Sequence, residues 1–315
     1  MEKTMKRLLL VGMGKVGRGL ITPVFQEAGY KVVGCLREPP QLSARHLPYL
    51  LETPRGTTQH VFHDTVAMNA VEDTFDLIVT SVGRGNLDRI GRWYEERGLS
   101  APVLLAENLP AAVQAFPHQL PIVVDRICTR AELRAGRITV RTEDYYRIVV
   151  LDHPLTRALR KVGNVEVEPC AMTVERERTL KLFTVNTAHL LTAVEALRRG
   201  YQSIDAAIRD PEIAARVAAL VREVSPLLGL DATEARRRSQ VLIRRFATPL
   251  QDSPSRIINK RNFASAKDYF AIPRQRLDAM KRPAPLLDEA SRWLGRHYAG
   301  GCPSGYRSQP EAALR

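Results

Sequence analysis

The sequence predicts an α/β protein with a doubly wound, mostly parallel sheet at the front and a mainly α-helical second half. Three observations predict it. Short apolar runs of the kind found in strands buried on both faces alternate with stretches of helical period from Arg7 to Val124. A glycine-rich turn joins the first such run to the first helix. From about Leu180 onward the apolar residues recur at helical spacing alone.

Taken in order, Arg7 to Val11 is a compact apolar run that ends on Gly12. Helical spacing follows from Val16 to Ala28, Gly29 stops it, and Tyr30 to Leu36 reads as a second strand, completing a βαβ unit. Val61 to His63, Leu77 to Ser81, Val103 to Ala106 and Ile122 to Val124 are expected as further strands of the same sheet. Asn86 to Arg97 has helical period and closes on Gly98. After Arg126 the texture turns β-prone at Arg137 to Thr142, Arg147 to Val150 and Val165 to Val174. Asp210-Pro211-Glu212 is a helix start: a capping side chain, a proline in the first turn and an acid beside the dipole. Ile213, Val217, Leu220, Val221 and Val224 form the buried stripe that follows. Gly300-Gly301-Cys302-Pro303 opens a tail of turn formers. The expected organisation is a sheet domain over residues 1–177, a helical domain over 178–300 and a loose tail over 301–315.

A length of 315 residues suits two domains, and 44% hydrophobic with 26% charged residues is the balance of a globular protein. The opening MEKTMKRLLLVGMG places basic residues before an apolar run, yet that run is short and meets glycine and lysine, so it reads as a strand rather than a signal peptide. No apolar stretch approaches a membrane span of about 18 residues, so the cytoplasm is expected and a membrane is not. The four cysteines (Cys35, Cys128, Cys170, Cys302) are widely spaced and form no metal-ligand interval, so no metal site is expected. A net charge of +13 suits nucleic acid, an acidic surface or a phosphorylated substrate. The arginines (Arg216, Arg222, Arg236 to Arg238, Arg244, Arg245) are scattered within helical patterns, with no RNA-binding aromatic motif among them. A solvated basic face is expected, and no nucleic-acid partner.

Gly12-Met13-Gly14-Lys15-Val16-Gly17 fits GxGxxG in the context that gives the pattern meaning, between a strand and a helix. The chemistry needs those glycines. The first makes the tight turn, the second lets the backbone approach a pyrophosphate, and the third lets helix and strand pack closely. Amides at the helix N-terminus, from Lys15 and Val16, would hold the phosphates of a dinucleotide on a Rossmann-type sheet. The second strand ends Val32-Val33-Gly34-Cys35-Leu36 and then Arg37-Glu38, without the acid that accepts ribose hydroxyls. Arg37 there favours a 2′-phosphate, hence NADP over NAD, although Glu38 is near enough to serve a ribose and Arg37 also reads as a surface residue.

In Lys181-Leu-Phe-Thr-Val-Asn186-Thr-Ala-His189, Asn186 and His189 are three apart and share a helix face. Lys181 lies about 12 Å along the axis from His189 at ideal helical rise, a gap its long side chain or a later helix start must close. A lysine acting as a base near neutral pH needs burial, which Leu180, Leu182 and Phe183 offer. Judged on residue type alone, ordinary solvent or capping roles for the three remain open.

The pattern of Lys181, four residues, Asn186, two residues, His189 resembles the signature of the polyol-specific long-chain (mannitol dehydrogenase) family. Further stretches resemble it in the same order: Gly12 to Gly19, Thr80-Ser81-Val82-Gly83, Ala106-Glu107-Asn108, Val124-Asp125-Arg126-Ile127, and Arg244-Arg245-Phe246 leading to Pro249 and Asp252. The likeness spans roughly residues 6 to 260. It implies that Lys181 is the general base, that Asn108 and Asn186 bond the reacting oxygen, and that His189 orients the substrate or the lysine. It further implies that Ser81 and Val82 line the cofactor and that Asp125, Arg126, Arg244 and Arg245 meet the substrate, a small polyol, sugar phosphate or cyclitol. A phosphate would find partners among Arg244, Arg245, Arg256, Lys260 and Arg261. The sequence departs from the family at the missing strand-end acid and at Arg256-Ile-Ile-Asn-Lys260-Arg261, which only loosely echoes the family's basic stretch and points away from mannitol 1-phosphate itself. A dinucleotide-binding regulatory protein without turnover is the alternative, and a nucleic-acid binder driven by charge is the third.

Overall fold

The computed structural model describes residues 5–37, 48–109, 114–134, 137–259 and 263–299; Glu38, Lys260, Arg261 and the tail 301–315 lie outside them. The chain divides between Glu177 and Arg178 into two compact units.

In the first unit the strands are β1 (Arg7–Val11), β2 (Lys31–Leu36), β3 (Pro48–Thr53), β4 (Gly56–Val61), β5 (Asp64–Ala67), β6 (Leu77–Thr80), β7 (Val103–Leu105), β8 (Gln119–Leu120), β9 (Ile122–Asp125), β10 (Cys128–Arg134), β11 (Arg137–Thr142), β12 (Arg147–Leu151) and β13 (Val165–Glu168). The helices are α1 (Thr22–Glu27), α2 (Leu87–Glu96) and the start of α3 (Ala171–Lys181). A six-stranded sheet runs β5-β2-β1-β6-β7-β8 with every pairing parallel. This is the doubly wound order in which the chain reverses direction across the sheet between β1 and β6, and the crevice outside the carboxyl ends there is where such sheets hold ligands. Burial on both faces follows from the alternation of β1. Leu8 and Leu10 pack with Val24, Phe25 and Val32, while Leu9 and Val11 pack with Val33, Ile78 and Ile90.

Two further sheets flank it. One runs β10-β11-β3-β4 and the other β13-β12-β9. The structure therefore corrects three expectations. Ile122–Asp125 is a strand, but it pairs antiparallel with β12 outside the main sheet. The trio Val61 to His63 is not a strand of that sheet: Val61 ends β4, the Phe62 ring is fully buried, and the His63 ring accepts a hydrogen bond from the Val32 amide at 3.2 Å. The sheet's true edge is β5, a half-buried strand whose short polar-led sequence gives no apolar run. Val165 to Val174 also breaks in two, because the extended β13 gives way to helix at Ala171.

The second unit is helical: the end of α3, α4 (Thr187–Arg199), α5 (Ile204–Ala207), α6 (Pro211–Val224), α7 (Ala232–Phe246), α8 (Pro254–Ile257), α9 (Phe263–Ala279) and α10 (Pro285–Ala299). Asp210 caps α6 by accepting from the Glu212 amide at 2.8 Å, and Ile213, Val217, Leu220, Val221 and Val224 are its buried stripe, as the spacing predicts. Glu195, 2% exposed within α4, binds Arg198 and Arg216, and both arginines reach Glu289 of α10. Part of the basic charge is thus paired inside the helical unit. Among the described residues, no helix is long and apolar enough to cross a membrane, and no group of His, Cys, Asp and Glu gathers as a metal site.

Candidate active site

In the first unit the glycine loop leaves β1 at the crevice, and each glycine is needed for a different reason. Gly12 has φ +101, and a Cβ there would lie 2.4 Å from the Ser81 carbonyl oxygen. At Gly17 a Cβ would lie 2.4 Å from the Gly12 carbonyl oxygen, so the helix could not approach the strand. Gly14 is exposed, and a Cβ there would meet nothing within 4 Å among the described residues. Open space over the middle glycine, between two glycines fixed by packing, is the cradle that a pyrophosphate requires. Lys15 and Val16 are half-buried at the start of the helix. Arg37 is exposed just past β2, and no acid precedes it in the strand.

Opposite the loop, Ser81 and Val82 leave β6 half-buried. The Ser81 amide donates to the Val11 carbonyl at 2.8 Å, continuing the sheet one step past the strand. Glu107, 7% exposed, then fastens the turn: it accepts from the Thr80 hydroxyl at 2.8 Å and from the Val82 amide at 2.9 Å. Asn108 follows it and is exposed at the carboxyl end of β7. Sequence reasoning gave Glu107 no role of its own; the available signal was a pair of polar residues, Thr80 and Glu107, at the ends of adjacent apolar strands.

The helix behind the glycine loop is not regular. Gly17–Ile21 forms a π-helical turn, closed by the Thr22 amide on the Gly17 carbonyl. The buried Thr22 hydroxyl bonds the same oxygen at 2.9 Å. The next two carbonyls also accept from side chains, Arg18 from the Tyr49 hydroxyl at 2.9 Å and Gly19 from Arg126 Nη1 at 2.6 Å. Arg126 donates through Nε to the Glu143 carbonyl as well and stacks over Tyr146, while burial lowers its guanidinium pKa. Arg126 is thus a clamp on the π turn behind the glycine loop, with Asp125 half-buried at the end of β9 beside it.

In the second unit, Lys181 ends α3 and Leu182–Asn186 is another π-helical turn, closed by the Thr187 amide on the Leu182 carbonyl. This corrects the reading of Lys181 to His189 as one even α-helix. It also explains the spacing. At about 100° per residue, positions five and eight beyond Lys181 would point about 140° and 80° away from it in an α-helix. A π turn absorbs one extra residue, so they behave as positions four and seven, about 40° and 20° away. Lys181, Asn186 and His189 therefore share one stripe, all half-buried, between the buried Leu182, Phe183, Ala188 and Leu190.

His189 is held on two sides. Its Nε2 lies 3.1 Å from Asp252 Oδ2, and its ring packs on Phe246 with centroids 5.1 Å apart. Asp252, 3% exposed, accepts a two-pronged bond from Arg256, at 2.5 Å from Nε and 2.6 Å from Nη2. Its own carbonyl accepts from the Ile204 amide at 2.8 Å. Burial pushes the Asp252 carboxyl pKa up, but the Arg256 guanidinium and the His189 ring outweigh it and hold the group well below the usual carboxylate range. Arg245 is buried at the end of α7 and Arg244 is exposed beside it.

These residues fall within a recognisable segment. The model of the mannitol dehydrogenase C-terminal domain matches residues 174–260. That stretch of the chain is similar to the mannitol dehydrogenase family. The chain is 27% identical to a mannitol-1-phosphate 5-dehydrogenase of Ajellomyces capsulatus, over 80% of this chain and 75% of that one. It is 28% identical to the enzyme of the same name from Paenarthrobacter aurescens, over 78% and 74%. Among solved structures, mannitol 2-dehydrogenase of Pseudomonas fluorescens, determined as a ternary complex with NAD and D-mannitol, aligns with 98% of this chain and 82% of its own at a TM-score of 0.76. At 16% identity that likeness speaks of fold alone.

Proposed function

We propose that this protein is an NAD(P)-dependent dehydrogenase that moves a hydride between the nicotinamide and a secondary alcohol or ketone of a polyol or sugar phosphate. The observation that carries the reading is the single stripe of Lys181, Asn186 and His189 produced by the π turn, in a chain that also builds a glycine cradle. The nicotinamide, when bound, supplies the two-electron acceptor. The first unit holds the dinucleotide at Gly12, Gly14 and Gly17, with Lys15 and Val16 offering amides to its phosphates and Ser81 and Val82 facing the loop. Arg37, without an acid before it, favours the 2′-phosphate of NADP.

Lys181 takes the hydroxyl proton as an uncharged amine and returns it in the reductive direction. Asn186 donates to the oxygen on which negative charge develops, a stabilisation that grows with that charge, and the family resemblance assigns Asn108 the same part. His189 orients the substrate, and Arg245 and Arg256 lie on the same segment as candidates for its distal end. Two relatives named mannitol-1-phosphate 5-dehydrogenase support a polyol phosphate. The commitment of Arg256 to Asp252 leaves room for an unphosphorylated polyol or a cyclitol.

Titration of the purified protein with NADH and NADPH, followed through Trp93 and Trp293 and the nicotinamide emission, tests the first half. Saturable binding, tighter for NADPH, is expected; binding of neither overturns the reading. A screen of ketoses, ketose phosphates and cyclitol ketones for cofactor oxidation then tests the second half. Binding without turnover on any of them would favour a regulatory dinucleotide-binding protein instead.

A further inference from the structure

An ionised carboxylate can only accept hydrogen bonds. Asp252 is buried, bonded by both prongs of Arg256, and fixed through its own carbonyl to the first amide of α5. The 3.1 Å contact between its Oδ2 and His189 Nε2 therefore requires the proton on Nε2. In the neutral ring the other nitrogen, Nδ1, is then a bare acceptor. With the π turn absorbing one residue, Lys181 is offset by about 10 Å along the axis at ideal helical rise, too far to be the natural donor to it.

We infer that Asp252 is a positioning residue that fixes His189 as its Nε2–H tautomer, so that His189 meets the substrate as a hydrogen-bond acceptor through Nδ1. The inference rests on the dehydrogenase reading above and deepens it: the substrate must carry a hydroxyl donor on a carbon beside the reacting one. His189 then reads a hydroxyl, while Asn186 donates to the reacting oxygen. One stripe thus distinguishes the oxygen that loses its proton from the neighbouring oxygen that keeps it.

The test is nitrogen-15 NMR of histidine-labelled protein at a pH where the rings are neutral, with His189→Asn identifying the resonance among the seven histidines. The Nε2–H pattern is expected for His189, with Nδ1 unprotonated. Asp252→Asn, whose side chain offers donor and acceptor alike, is expected to give a mixed pattern. An Nδ1–H pattern in the native protein overturns the inference, and so does an Nε2–H pattern that Asp252→Asn leaves unchanged. Should that variant fail to fold, the native spectrum still decides. A substrate analogue lacking the adjacent hydroxyl should lose about tenfold in kcat/KM on the native enzyme, and an unchanged kcat/KM counts against the proposal. Loss of the tautomer with turnover intact sinks the role of Asp252 alone. An intact tautomer with no turnover on any polyol sinks the dehydrogenase reading.

Discussion

The two π turns use one local device in different surroundings. In each, a fully buried threonine five residues on closes the turn twice over, by amide and by hydroxyl, on one carbonyl: Thr22 on Gly17 and Thr187 on Leu182. At Gly17–Ile21 the neighbouring carbonyls are met by Tyr49 from β3 and by Arg126 from the loop before β10, so another sheet holds the turn from outside. At Leu182–Asn186 the support is helical: the Thr184 hydroxyl bonds back to Leu180 and the Thr187 hydroxyl reaches Tyr269 of α9. The first turn shapes a backbone surface, where the amides matter. The second changes the phase of side chains. Wide turns of this kind cost hydrogen-bond quality and persist where the altered geometry is useful.

The largest effect that separates the two is expected at Lys181. Lys181→Ala should lower turnover by about 10²- to 10⁴-fold with dinucleotide affinity intact, measured by steady-state rates and fluorescence titration. Next come the glycines of the first turn. Gly17→Ala should destabilise by about 1–3 kcal/mol, because its Cβ meets backbone, and should lose dinucleotide binding. Gly14→Ala should melt like the native protein and still bind the dinucleotide poorly; native affinity would show that the open space over Gly14 is not the phosphate seat.

The matched pair Thr22→Val and Thr187→Val sharpens the comparison further. Each removes one buried hydroxyl proton, given to the Gly17 carbonyl by Thr22 and shared between the Leu182 and Tyr269 carbonyls by Thr187, at a cost of about 1 kcal/mol and with the shape of the side chain kept. Thr22→Val should raise the dinucleotide Kd and Thr187→Val should lower kcat; the same profile from both would mean that the two turns are interchangeable supports. The smallest effect at neutral pH belongs to Asp252. Its native pKa lies below the unfolded value of about 3.9, so the stability it contributes is complete above that pH and is lost as pH falls through the native pKa. Acid titration of Asp252→Asn should therefore show a shallower loss of stability below about pH 4 than the native protein shows.

Strands buried on both faces were legible because their apolar runs are uninterrupted: β1, β2, β6 and β7 fall within a residue or two of the expected positions. The β3–β4 hairpin was not, since β4 is exposed along nearly its whole length and carries no alternation to read. Its last residue Val61, with the buried Phe62, instead mimicked a core strand. At the site, the spacing from Lys181 to His189 identified the residues but hid their phase, because a five-residue interval looks misaligned until the helix widens. Asp252 escaped a role because its partner is 63 residues distant, and the bond from Arg126 to the Gly19 carbonyl was not legible because the two lie 107 residues apart in sequence.

The clamp on the glycine loop has a consequence for how this chain comes to fold during synthesis. Tyr49 stands on β3, which is flanked by β4 of its own hairpin and by β11, a parallel partner from Ile138 onward. Arg126 likewise enters more than a hundred residues after the glycines it steadies. Pairings of such long separation form late, since the chain between them must first be closed into a loop. A nascent chain that has just completed β6 and β7 already has the sheet and all three glycines of the loop, but not the residues that finish it. The clamp is thus completed after the fold's central strands, and a truncation before Arg126 would keep the sequence fingerprint while lacking the bond that steadies the turn behind it.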